Sequence, residues 1–166
     1  MPGRSVATDR SIAGLFNVRL GPKYATLLIG GAEEPLYLPA APGRSRALLR
    51  YTRDYARSAL HELAHWSLAG PQRRELVDYG YWYRPPPRSK AEQARFFAAE
   101  LRVQALECLF CEVCGVVFHV SADNIGADTS GFAARVETAA CAWRQQGVKG
   151  LAGQTLRLLA QGGTHV

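Results

Sequence analysis

Ala59-Leu60-His61-Glu62-Leu63-Ala64-His65-Trp66 is an apolar run carrying two histidines and a glutamate, with no Pro or Gly to interrupt a helix. Residues four apart on a helix stand one above the other on the same face. His61 and His65 are thereby placed to bind a single metal ion with Glu62 beside them, the HExxH arrangement. With four His and nine Glu in the chain, a chance match is expected in roughly one of 200 such sequences. A metal site is therefore the better reading than two surface histidines on an ordinary amphipathic helix. Working outward, Leu48, Leu49, Tyr55, Ala59, Leu60 and Leu63 recur at helical spacing. They predict a long central helix from about Ser45 to Ala69, stopped by Gly70-Pro71.

The flanking sequence supplies the remaining elements. Residues 24 to 30 read as a strand ended by Gly30-Gly31, and Leu36-Tyr37-Leu38, between two prolines, as a short edge strand. Val77 to Tyr83 is an aromatic loop or short strand closed by Pro85-Pro86-Pro87. Lys90 to Cys114 predicts a second long helix capped by Gly115. Val116 to Val120 is strand-like and leads into a polar loop, and helices are expected at about 129 to 146 and 149 to 161. Residues 1 to 10 look loose. With no repeat and no long linker, residues 1 to 166 read as one domain of the α+β class, mainly helical with a small β-sheet.

At 166 residues the chain is long enough to bury a core, and no apolar run reaches the length of a membrane span. The N-terminus lacks the apolar centre of an export signal. Cys108, Cys111, Cys114 and Cys141 are not spread as a disulfide framework, so they read as reduced thiols of a cytoplasmic protein. The first three share a helix face, but a structural zinc would need Cys141 as the fourth ligand, and buried thiols are the preferred reading. The net charge of +6, from 17 Arg and 3 Lys against 14 carboxylates, suits an acidic partner or substrate better than a dedicated nucleic-acid groove, and neither DNA nor a membrane is expected as a partner. A generally solvated basic surface accounts for it equally well.

Two histidines need a third protein ligand from a facing element. The helix at 90 to 114 offers Glu92, Glu100, Glu107 and Glu112. Glu100 has small neighbours that permit close helix packing, and Gln104 shares its face as a hydrogen-bond partner. Glu107 is the runner-up, one further turn along, and Glu112 is near the helix end. A His, His, carboxylate trio serves two chemistries. Zinc, with Glu62 as general base, would hydrolyse a peptide bond. Ferrous iron on the same ligands, with dioxygen as co-substrate, would carry oxidative chemistry. The motif alone favours the peptidase.

The wider sequence resembles a particular family, the bacterial elongation factor P hydroxylases. The resemblance is carried by Asn17 with Arg19-Leu20, by Glu34-Pro35-Leu36-Tyr37-Leu38-Pro39-Ala40, and by the HExxH with Trp66 and Ala69-Gly70. It continues through Arg73-Arg74-Glu75-Leu76-Val77-Asp78-Tyr79-Gly80-Tyr81-Trp82-Tyr83, Gln104-Ala105-Leu106, Leu109-Phe110-Cys111, Val120-Ser121 and Asp123-Asn124. Beyond residue 126 it fades into generic helix. The resemblance implies metal ligands at His61, His65 and Glu100, the last because it stands four residues before Gln104-Ala105-Leu106. It also implies Fe(II) as the metal, O2 as co-substrate, and hydroxylation of an elongation factor P lysine already extended by a β-lysyl group.

Such a cationic side chain needs a slot with apolar walls and a polar end. Tyr79, Tyr81, Trp82 and Tyr83 are candidates for the walls, through apolar and cation–π contact, and Asp78 and Asp123 for the ammonium groups. Structural roles compete with each of these: core packing for the aromatics, a turn or an oriented histidine for Asp78, and a turn for Asp123-Asn124. Glu62 is expected in the active site, its role open once no water needs activating. No residue marks a 2-oxoglutarate site, and zinc or nickel can replace iron in a purified sample. A zinc peptidase and a non-catalytic adaptor are the competing readings.

Overall fold

Tertiary packing divides the apolar pattern before the HExxH into two elements. A computed structural model of the chain describes residues 6–81, 85–122 and 128–162. Helix α1 (Asp9–Arg19) is followed by strands β1 (Thr26–Ala32), β2 (Leu36–Leu38) and β3 (Ala47–Thr52). Helices α2 (Ala56–Leu68), α3 (Lys90–Cys114), α4 (Ser130–Gln146) and α5 (Gly150–Gly162) complete the described chain. The class is the expected one, mainly helical with a small sheet.

The single helix expected from about 45 to 69 is instead β3 followed by α2, so the HExxH stands on a helix of 13 residues. A short apolar run fits either period, and packing arbitrates. Ala47, Leu49 and Tyr51 alternate into the core, while Arg50 points outward. Arg53 then adopts a left-handed conformation that breaks the chain direction. The Thr52 amide donates to Ser58 Oγ at 3.0 Å, tying the strand to the first turn of α2.

β3 is the centre of a three-stranded sheet in the order β1-β3-β2. It pairs parallel with β1, Thr26 opposite Ala47 and Leu28 opposite Leu49, and antiparallel with β2. β2 is an edge strand, as its flanking prolines suggest. β1 begins two residues later than the pattern indicates and runs through Gly30-Gly31. The register slips between Ile29 and Ala32, where Gly31 takes positive φ at a bulge.

α1 is an element the apolar pattern does not reveal, because only Ile12 and Phe16 of its eleven residues are buried. Its start is a capping box in which Thr8 and Ser11 exchange hydrogen bonds. Asp9 and Arg10, within the stretch that reads as loose, are thus helical. Val116 to Val120 does not form a strand. Among the described residues it pairs with no strand; Arg57 of α2 donates to its His119 carbonyl, and Gln104 of α3 pairs with the adjoining Ser121 backbone.

α3 spans 25 residues between a Ser89–Glu92 capping box and Gly115, whose φ of 68° is the left-handed cap. It packs against α2, α4 and α5. The main core gathers the sheet, α1, α2, α3 and α5 around Trp66, which meets Phe16 edge-on at 5.0 Å and Tyr24 at 5.3 Å. A smaller cluster holds α4 against α3 through Leu109, Phe132 and Val136. Among the described residues, no helix is long and apolar enough to cross a membrane.

Candidate metal centre

α2 supplies His61 and His65 one turn apart, and α3 crosses it with Glu100 facing them. The two Nε2 atoms are 3.2 Å apart. Glu100 Oε1 lies 3.1 Å from His65 Nε2, and Oε2 lies 3.6 Å from His61 Nε2. Among the described residues this is the one group of three whose ligand atoms, all within 4.8 Å of one another, could hold a metal ion. Bonds of about 2.1 Å to one ion place ligand atoms roughly 3.0 Å apart at right angles and 3.4 Å apart at tetrahedral angles. The observed separations match that range. Two imidazole lone pairs so close repel unless a proton or a cation lies between them, so the donor set fits a divalent ion.

The electrostatics agree. Burial disfavours charge on His61, but its hydrogen bond to Glu107 and the charges of Glu100, Glu107 and Glu62 outweigh that and raise its pKa to about 10. Burial likewise disfavours charge on Glu100. The His65 contact, both imidazoles and the Gln104 amide reverse it and lower Glu100 to about 2. A site that attracts positive charge this strongly is prepared for a cation. Glu62 is buried and donates no ligand atom to the trio. Burial raises its pKa, with Glu100 and Asp78 adding to the rise and the two imidazoles opposing it.

Two polar side chains stand behind the trio. Gln104 Nε2 donates to Glu100 Oε2 at 3.3 Å. The same amide pairs with the Ser121 backbone in both directions, at 2.8 and 2.9 Å. Glu107 is not a member of the trio: His61 Nδ1–H donates to its Oε2 at 2.7 Å, and Arg57 Nε donates to its Oε1 at 2.9 Å. Arg57 also donates to the His119 carbonyl. Reading α3 for ligands found Glu107 but not this role. The spacing of 100, 104 and 107 on one helix face was the available signal. Arg57 left no signal.

The aromatic segment closes one side. Tyr79 is 4% exposed, stacks on Tyr37 at 4.3 Å, and lies parallel to the His65 ring at 6.3 Å. Asp78, Tyr79 and Gly80 all have positive φ, a strained conformation for the first two. Three bonds hold it: the Tyr37 amide to Asp78 Oδ1 at 2.8 Å, Arg73 Nη1 to the Tyr79 carbonyl at 3.0 Å, and Tyr37 Oη to the Arg74 carbonyl at 2.7 Å. Asp78 thus anchors a turn. The Tyr79 hydroxyl is buried with no hydrogen-bond partner among the described residues, an orphan donor near Glu62. Tyr81 is 42% exposed, with the Arg73 guanidinium over its ring. Trp82, Tyr83, Asp123 and Asn124 lie outside the described residues.

Cys108, Cys111 and Cys114 are buried and Cys141 is exposed. Burial raises the Cys108 thiol to about 11 and pushes Cys111 higher still. They form no metal-binding group among the described residues.

With that geometry in place, the sequence profile of the Elongation factor P hydroxylase family matches residues 15–162. The chain belongs to that family. The match runs through α4 and α5, so the resemblance does not end near residue 126 as the motifs suggest. A relative from Haemophilus influenzae, named Elongation factor P lysine hydroxylase, is 41% identical over 114 residues. That stretch covers 69% of this chain and 64% of the relative's length.

Proposed function

We propose that this protein hydroxylates a lysine side chain of elongation factor P, in the form that already carries a β-lysyl extension, using Fe(II) and O2 in the cytoplasm. The observation that carries the reading is the convergence of His61, His65 and Glu100 on one point, in a chain of the elongation factor P hydroxylase family. Iron held by these three residues would supply the redox chemistry that breaking an unactivated C–H bond requires and acid–base groups do not provide.

The chain's own residues have separable tasks. His61, His65 and Glu100 hold the metal. Glu62, its pKa raised by burial, stands beside the reacting centre and relays a proton there. The Tyr79 ring, backed by Tyr37, gives the substrate stem an apolar wall and keeps bulk water off the His65 side. Tyr81 meets the substrate at the rim, and Trp82 is a further aromatic for the stem. Asp78, Asp123 and Asn124 provide the polar end for the ammonium groups. The basic surface, net +6, attracts an acidic protein partner.

The deciding experiment is the intact mass of β-lysylated elongation factor P co-expressed with this protein or with its His61→Ala variant. A gain of one oxygen atom with the unaltered protein alone is expected. No gain, with lysylation and iron content both verified, overturns the hydroxylase reading and moves the zinc peptidase to first place.

A further inference from the structure

His61 has two ring nitrogens and, when neutral, one proton to place on them. Only a lone pair on Nε2, the nitrogen facing His65 and Glu100, is of use to a metal. Glu107 settles this. It sits seven residues beyond Glu100 on the same side of α3, 1% exposed. Its Oε2 takes the Nδ1–H of His61 at 2.7 Å, which puts the proton on Nδ1 and leaves Nε2 free to ligate. Its other oxygen is committed to Arg57 Nε at 2.9 Å. The carboxylate therefore cannot rotate toward the ligand cluster without breaking an ion pair. Arg57 is fixed in turn by the His119 carbonyl and by the Phe118 ring, 5.6 Å from its guanidinium carbon.

We propose that Glu107, held by Arg57, is the positioning residue of the metal centre: it sets the tautomer and ring angle of His61 and contributes no ligand atom itself. The inference rests on the metal reading above. It assigns different work to two buried glutamates on one helix, Glu100 as ligand and Glu107 as orienter.

The test uses metal-stripped protein titrated with Zn(II) against a chromophoric chelator, with Co(II) absorption as a readout of coordination. The unaltered protein, Glu107→Leu, Glu107→Gln, Arg57→Met and His61→Ala are compared, each checked for folding by circular dichroism. Glu107→Leu is expected to weaken zinc binding about 10- to 100-fold, the usual effect of losing a partner behind a ligating histidine. Glu107→Gln, whose amide oxygen still accepts from Nδ1–H, should recover most of that loss with an unchanged Co(II) spectrum. Arg57→Met should show a smaller loss in the same direction.

A lower melting temperature with unchanged zinc affinity in the Glu107 variants would reduce Glu107 to a structural residue and overturn the proposal. So would a Glu107→Gln protein that loses metal as completely as His61→Ala and shifts the Co(II) spectrum, because Glu107 would then be a ligand. Should Glu107→Leu fail to fold, Glu107→Gln and Arg57→Met still decide the matter. If the unaltered protein binds neither zinc nor cobalt, the metal reading itself falls, a result distinguishable from failure in the variants alone.

Discussion

Helix α3 meets α2 along one side and α4 along another, and the two contacts differ in the polar groups they bury. Toward α2 it buries Glu100, Gln104 and Glu107. Toward α4 it buries Ala105, Cys108 and Leu109 against Phe132, Val136 and Ala140, with Phe97 stacked on Phe132 at 4.3 Å. Apolar burial stabilises by about 25 cal/mol for each Å² removed from water and makes few demands on geometry. A buried carboxylate costs several kcal/mol unless every oxygen is matched. The polar side meets that demand with specific partners: His65 and Gln104 on Glu100, His61 and Arg57 on Glu107. The contrast teaches that the α4 contact rests on apolar burial, whereas the α2 contact, which shares the main core with Val103, Leu106 and Phe110, adds a polar row that holds ligand atoms in place.

The largest expected effect tests the functional side. Glu100→Ala should lower zinc or iron affinity by more than ~100-fold, beyond the range for partners that only orient a ligand, while the protein stays folded. Metal content after dialysis and a circular dichroism spectrum report the two halves; retained metal would mean that Glu100 is not a ligand. Phe132→Ala probes the other side and should cost about 3–5 kcal/mol in denaturant unfolding, as for a buried aromatic. Its metal affinity, measured where the protein is folded, should not move. A parallel loss of metal would erase the distinction between the two contacts.

Proton linkage separates them further. In the metal-free protein His61 is raised from 6.5 to about 10, so its ion-pair contribution is fully present below pH 6.5 and is lost as pH rises through 10. Glu100 is lowered from 4.5 to about 2, so its contribution is present above pH 4.5 and is lost as pH falls through 2. The metal-free melting temperature should therefore decline between pH 7 and 10, and His61→Ala should flatten that decline. An equal slope in the variant would place its origin elsewhere. The smallest effect belongs to Tyr79→Phe. Removing an unpartnered buried hydroxyl should change metal-free stability by no more than about 1 kcal/mol, in either direction. The proposed hydroxylation should keep its rate with metal content intact, because the ring that walls the site remains, and a slowed reaction would give the hydroxyl a part in the chemistry.

The legible parts of this protein are those specified by neighbours in the chain. The pair His61 and His65 follows from helical geometry over one turn, and α3 follows from a capping serine at one end and Gly115 at the other. β2 is marked by its two prolines. Segments whose state is set by distant partners were the ones misread. Ala47 to Thr52 has an apolar pattern that serves a helix or a strand, and it becomes a strand because β1 and β2 flank it. Val116 to Val120 has strand-like composition but no strand beside it, and Gln104 and Arg57 satisfy backbone groups along residues 119 to 121. α1 buries two side chains of eleven, too few to register as a periodic face.

For the metal centre the division falls in the same place. The sequence established two histidines, an adjacent glutamate and a short list of acidic candidates on α3, because spacing within a helix is a local property. Which glutamate faces both Nε2 atoms and which turns to Nδ1 depends on how α3 crosses α2, and no local spacing encodes that crossing. The tertiary structure alone brought Arg57 to Glu107 across 50 residues of chain and laid Tyr79 beside His65. A carboxylate buried at such a crossing takes its role from whichever charged group lies within hydrogen-bond reach.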